Sequence, residues 1–144
     1  MKKIIFTILL MFVIVGCSGN YNKLSCNKLI TKLENKDTFI LFVGNNTTNS
    51  KSLKNTLNTV LKQNNLEAYE INSTSISQDE KNTLRKYFSY EDISIIFFKD
   101  GIDPSKLSHI TNTNITLDEL RNHLTNLGFI ESENNDSDNE KTSN

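Results

Sequence analysis

Few side chains in this 144-residue chain could do covalent or metal chemistry. There are two cysteines, Cys17 and Cys26, and two histidines, His109 and His123. Neither histidine stands at a metal-ligand spacing from a Cys, Asp or Glu. His123 shares a predicted helix face with Leu120 and Leu127, which points to partial burial. No Gly-x-Ser-x-Gly elbow and no glycine-rich phosphate loop occurs, and the five glycines fall at turns, at element ends or at the end of the N-terminal apolar stretch. The acids of "EDISIIFF" and "KDGID" flank a strand and a hairpin and read as solvated turn charges. These patterns assign no catalytic residue, no metal ligand and no cofactor.

One junction has the form of a reactive site without its reagents. In "DTFILFVGNNTTNSKSL", residues 37 to 53, the apolar run Phe39 to Val43 ends at Gly44, and a helix begins a few polar residues later. A helix start presents unpaired N–H groups and the positive end of the dipole, which would turn a cysteine there into a thiolate nucleophile. The residues present are Thr47, Thr48, Asn49 and Ser50. A hydroxyl gains no comparable reactivity, but Thr, Asn and Ser accept hydrogen bonds from those same N–H groups. The segment therefore reads as capping and loop chemistry.

The cysteines lead elsewhere. Lys2 and Lys3 precede "IIFTILLMFVIV", an apolar stretch of the length of a signal-peptide core and shorter than the ~20 residues a membrane span needs. It closes with Ile14, Val15, Gly16 and Cys17, which resembles the bacterial lipobox, whose cysteine is lipidated and becomes the first residue of the mature chain. The competing reading, an uncleaved apolar helix with an incidental cysteine, leaves the placement of Gly16 and Cys17 before the polar "SGNYNK" unexplained. Acylation of Cys17 implies stable anchoring, at about 0.8 kcal/mol per buried methylene, on a membrane face outside the cytoplasm. Only Cys26 then remains, so no internal disulfide or dithiol couple can form. Near a predicted helix start Cys26 could serve as a lone thiol; the alternative is a small apolar residue on the inner face of the first helix.

Removal of residues 1 to 16 leaves 128 residues, enough for one domain with a real core. The formal charge of −1 excludes the strongly basic balance of a nucleic-acid binder. Richness in Asn, Lys and Ile suggests an AT-rich, low-GC Gram-positive source. Residues 131 to 144, "ESENNDSDNEKTSN", hold five acids, one lysine and no apolar side chain, and are expected to form a disordered acidic tail.

Between these ends the pattern places the elements. After a tether over 17 to 24, Ser25 caps a helix carrying Cys26, Ile30 and Leu33. Phe39 to Val43 is a strand covered on both faces. Leu53, Leu57, Val60 and Leu61 follow at helical spacing, and "LEAYEIN" alternates as a strand. Ser77 to Glu80 is a capping box for a helix with Leu84, Tyr87 and Phe88. "ISIIFF" is a third buried strand, "KDG" a turn, and Leu107 to Ile110 a short fourth strand. Thr116 to Glu119 caps a last helix with Leu117, Leu120, Leu124 and Leu127, stopping at Gly128. The predicted order is α, β, α, β, α, β, β, α.

That order, with "FILFVG" before the first long helix and "IIFFKDG" before the hairpin, resembles the thioredoxin fold over roughly residues 24 to 130. The resemblance implies an α/β domain, taken as residues 25 to 130, with a central mixed sheet of about four strands flanked by helices. The "FILFVG" form is also similar to that of bacteriocin transport accessory proteins of Gram-positive bacteria. In the thioredoxin family a Cys-x-x-Cys occupies the positions of Thr47, Thr48, Asn49 and Ser50, a buried acid that of Leu41, and a cis-proline that of Ile93. All three parts are replaced, which implies a redox-inert domain. The family's substrates dock beside the helix start and the loop before the third strand, so Asn46, Thr47, Tyr90 and Ile93 are the candidate partner surface. Two functions are expected: a lipid-anchored binding or accessory module for an envelope or secreted protein, or a thiol enzyme using Cys26 alone or with a cysteine on another chain.

Overall fold

The computed structural model describes residues 21–100 and 108–132. The elements run β1 (Tyr21–Lys23), α1 (Cys26–Glu34), β2 (Phe39–Gly44), α2 (Thr48–Gln63), β3 (Ala68–Asn72), α3 (Gln78–Leu84), β4 (Ser94–Phe98), β5 (Ser108–Ile110) and α4 (Leu117–Asn126). The strands form one mixed sheet in the order β1-β3-β2-β4-β5. β1 and β2 each run parallel to β3, and β4 runs antiparallel to both β2 and β5. This is an α/β fold of the thioredoxin-like kind, with five strands among the described residues rather than about four.

The extra strand comes from residues expected to be tether. Tyr21–Lys23 carries no apolar alternation; it is held because Tyr21, Asn22 and Lys23 register with Ala68, Tyr69 and Glu70, and Leu24 N donates to Glu70 O at 3.0 Å. The Tyr21 ring meets Phe42 edge-on at 6.1 Å, and its hydroxyl donates to Lys54 O at 2.9 Å.

Every residue of β2 and β4 is buried, as continuous apolar runs in a covered sheet should be. Side chains alternate across them. Ile40, Phe42, Ile95 and Phe97 join Leu53, Leu57, Val60, Leu61, Leu120 and Leu124 on the α2/α4 face. Phe39, Leu41, Val43, Ile96 and Phe98 join Cys26, Leu29, Leu84 and Phe88 on the α1/α3 face.

The caps set the helix starts. Ser77 with Glu80 and Thr116 with Glu119 form complete capping boxes, and Ser25 accepts from Lys28 N. α4 ends where Gly128 adopts φ +76° and donates to Thr125 O at 2.9 Å. Three details differ from expectation. α3 stops at Leu84, so Tyr87 and Phe88 sit in the following turn. In α1, Leu29 rather than Ile30 and Leu33 lies fully inside, and in α4 Leu117 is 38% exposed. Cys17 and the apolar segment before it, residues 101 to 107 with the expected turn after Asp100, and the residues beyond Ser132 lie outside the described residues.

Candidate functional site

The β2–α2 junction is a closed hydrogen-bonded turn. β2 ends at Gly44, where a Cβ would collide with the Phe42 ring and lie 2.8 Å from Ser50 Oγ, so only glycine lets the chain turn this tightly over its own side chains. Asn45 N then donates to Ser50 Oγ at 2.9 Å. Asn45 Oδ1 accepts from both Thr47 N at 3.0 Å and Thr47 Oγ1 at 2.6 Å. Thr47 is the N-cap of α2 and accepts from Ser50 N at 3.3 Å. Ser50 is 2% exposed, while Asn46, Thr47, Thr48 and Asn49 are open to solvent.

The other expected parts lie close by in the fold but face different ways. Leu41 is fully buried against the α1/α3 cluster, and Ile93 is half-buried against the α2/α4 cluster. Asn46 Oδ1 accepts from Asn72 Nδ2 at 3.4 Å, linking the turn to the end of β3. Tyr90, expected on the partner surface, is half-buried. Its ring packs 5.5 Å from Phe88 with Arg85 over it at 5.7 Å, and its hydroxyl oxygen is buried without a hydrogen-bond partner among the described residues. Burial is the main reason its pKa is raised. The exposed lip is therefore Asn46 to Asn49, while Tyr90 and Ile93 are half-buried on opposite faces of the sheet.

Cys26 occupies the first turn of α1, 3% exposed, with Sγ 4.0 Å from Glu80 O. Burial first, and the Glu80 charge second, push its pKa up, the reverse of what a thiolate nucleophile needs. A cleft of about 360 Å³ between the starts of α1 and α3 reaches this residue, lined also by Asn72, Ser75 and Ile76. A larger one, about 850 Å³, opens between the end of α2 and α4 around Gln63, Asn64, Arg121 and Phe129.

One contact had no sequence signal. Ser108 Oγ of β5 lies 2.6 Å from His123 Nε2 of α4, with the imidazole tilted against Phe97 at 5.2 Å. A nucleophile–base pair has this spacing, but no carboxylate hydrogen-bonds His123 among the described residues, and neither residue lines the clefts above. The pair pins the edge strand to the last helix. His123 and His109 both have pKa values lowered by burial, opposed at His109 by Glu91.

Fold and junction together define a thioredoxin-like domain whose helix start is capped by hydroxyl and amide groups. Comparison with protein-family models and with curated proteins finds no match.

Proposed function

We propose that this chain is a lipid-anchored, extracytoplasmic lipoprotein whose thioredoxin-like domain is redox-inert and works as a binding or accessory module for an envelope or secreted protein. Bacteriocin export or immunity is the process its "FILFVG" resemblance favours. The observation that carries the reading is the Thr47–Ser50 turn, where the hydroxyls at the positions of a thiol pair are already committed: Ser50 Oγ accepts from Asn45 N, and Thr47 Oγ1 accepts from Ser50 N and donates to Asn45 Oδ1. The lone remaining thiol is buried and has a raised pKa, which favours the binding module over a Cys26 enzyme.

The working surface is the lip of Asn46 to Asn49, whose amides and hydroxyls offer adaptable hydrogen bonds to a partner. The test is genetic. Asn46→Arg with Thr48→Arg changes only exposed positions and should reproduce the phenotype of deleting the gene, with folding and membrane attachment intact. A folded, anchored and fully functional double variant would move the working surface elsewhere.

A further inference from the structure

The sheet edge at which the described chain begins has a charge pattern that the lip does not use. β1 is an outer strand of the sheet, and between it and α1 lies a groove of about 560 Å³ whose lining includes Lys23, Lys28, Lys32, Asp37 and Tyr69. Lys28 and Lys32 are four residues apart on α1 and share a side of the helix. Lys32 is fixed, its Nζ 3.0 Å from Asp37 Oδ2 and 4.5 Å from the centre of the Tyr69 ring. Lys23 and Lys28 are exposed and make no ion pair among the described residues.

The imbalance extends along the molecule. Residues 21 to 37 carry four lysines against Glu34 and Asp37, whereas the described residues from 38 onward carry eight Lys or Arg against ten Asp or Glu. The acidic tail begins at Glu131, on the far half of the sheet, where the adjacent Phe129 packs 5.9 Å from Phe97 of β4. The β1–α1 segment and the rest of the described residues therefore differ in sign.

We propose that the β1–α1 edge rests on the membrane and that Lys23, Lys28 and Lys32 bind the phosphates of anionic lipid headgroups. This rests on anchoring through Cys17. Four peptide units separate Cys17 from Tyr21 and span at most about 14 Å, so an anchored chain holds this edge beside the bilayer. Attraction to an anionic leaflet decays over a Debye length of about 8 Å, a range this edge alone is compelled to approach. The Tyr69 ring on the groove wall suits the headgroup layer, where an apolar body and a polar tip are both accommodated.

The test uses the full chain, expressed with its signal, purified from the membrane, and reconstituted into phosphatidylcholine vesicles with or without phosphatidylglycerol. Brief lysine acetylation is read residue by residue by mass spectrometry. Lys23, Lys28 and Lys32 should react roughly five-fold more slowly when phosphatidylglycerol is present, the factor expected per lysine held at an anionic surface, while Lys51 and Lys62 on α2 stay unchanged. Equal rates in the two vesicle types, on protein whose Cys17 carries acyl chains in the same spectra, overturn the lipid surface and leave the anchoring reading standing. An unmodified Cys17 overturns both. Protection by inorganic phosphate in phosphatidylcholine vesicles, matching that by phosphatidylglycerol, would replace the lipid with a soluble anion and also overturn the proposal.

Discussion

Ser50 Oγ accepts the hydrogen bond of Asn45 N at 2.9 Å, while Ser50 N donates to Thr47 Oγ1 at 3.3 Å. One serine thus closes the turn from both sides, its hydroxyl facing back to the strand and its amide forward to the cap. The turn is a structural unit in which each polar group completes another, leaving the hydroxyls engaged with the backbone.

Thr47→Ala should cost about 1 kcal/mol, the typical loss of an N-cap. Ser50→Ala leaves the Asn45 N–H without its acceptor and should cost about 1 to 3 kcal/mol. Because both hydroxyls bond Asn45, Ser50 Oγ at its N and Thr47 Oγ1 at its Oδ1, the double variant should cost less than the separate losses combined. Urea unfolding of all three variants measures this; additive losses would mean that the turn is not one unit.

Insulin-disulfide reduction by the mature protein should not exceed background. Thr47→Cys with Ser50→Cys should restore at most weak activity, because position 50 is 2% exposed and Leu41 supplies no proton carrier. Cys26 should alkylate far more slowly in folded than in urea-denatured protein. Turnover by the unaltered chain, or equal alkylation in both states, would favour the thiol enzyme.

If Gly16 and Cys17 end a lipoprotein signal, the mature protein begins at Cys17, carries acyl chains and partitions into detergent. Intact mass spectrometry of membrane-extracted protein decides it. A chain retaining Met1, or an unmodified Cys17, rejects the lipobox.

The burial of His123 and His109 makes their charged forms less favourable in the folded chain, so their folded pKa values fall below the ordinary 6.5. The stability held by the neutral rings is present in full above that value and is lost as pH falls through the lower folded values. The urea midpoint should therefore drop between neutral pH and pH about 5. His123→Gln should flatten that slope. The caps act in a separate window: Ser77 holds the Glu80 carboxyl, and Thr116 that of Glu119, below the ordinary 4.5, and their contribution is lost only below that pH. A midpoint unchanged down to pH about 5 would show that neither imidazole senses its burial.

The helices were legible wherever a short-range rule applied. Ser25, Ser77 and Thr116 cap the helices their spacing predicts, and Leu53, Leu57, Val60 and Leu61 are all fully buried. The continuous runs in β2 and β4 could be read because both faces of those strands are covered. β1 could not be read, since its three residues are ordered by partners more than 40 positions away: Ala68, Tyr69 and Glu70. The Ser108–His123 contact and the buried Tyr90 hydroxyl are likewise tertiary, set by how β5 meets α4 and how the turn after α3 folds under Arg85. For the lip, sequence placed the capping residues but not the partition between exposed Asn46 and half-buried Tyr90 and Ile93.

The parallel pairing of β1 with β3 has a mechanical consequence. A pull arriving from the N-terminal side of Tyr21 enters the fold through three residue pairs, reinforced by the Leu24 N to Glu70 O bond and by the Tyr21 hydroxyl on Lys54 O. Tension along the strand loads those bonds together in shear, whereas tension across it peels them singly. Three strand pairs at the sheet edge hold less than the buried Leu53–Leu57–Leu61 packing of α2, so this joint should yield first and leave the core intact. Freeing Tyr21 to Ser25 adds about 17 Å of extended chain, and single-molecule extension traces should register it as a small step ahead of the main unfolding event.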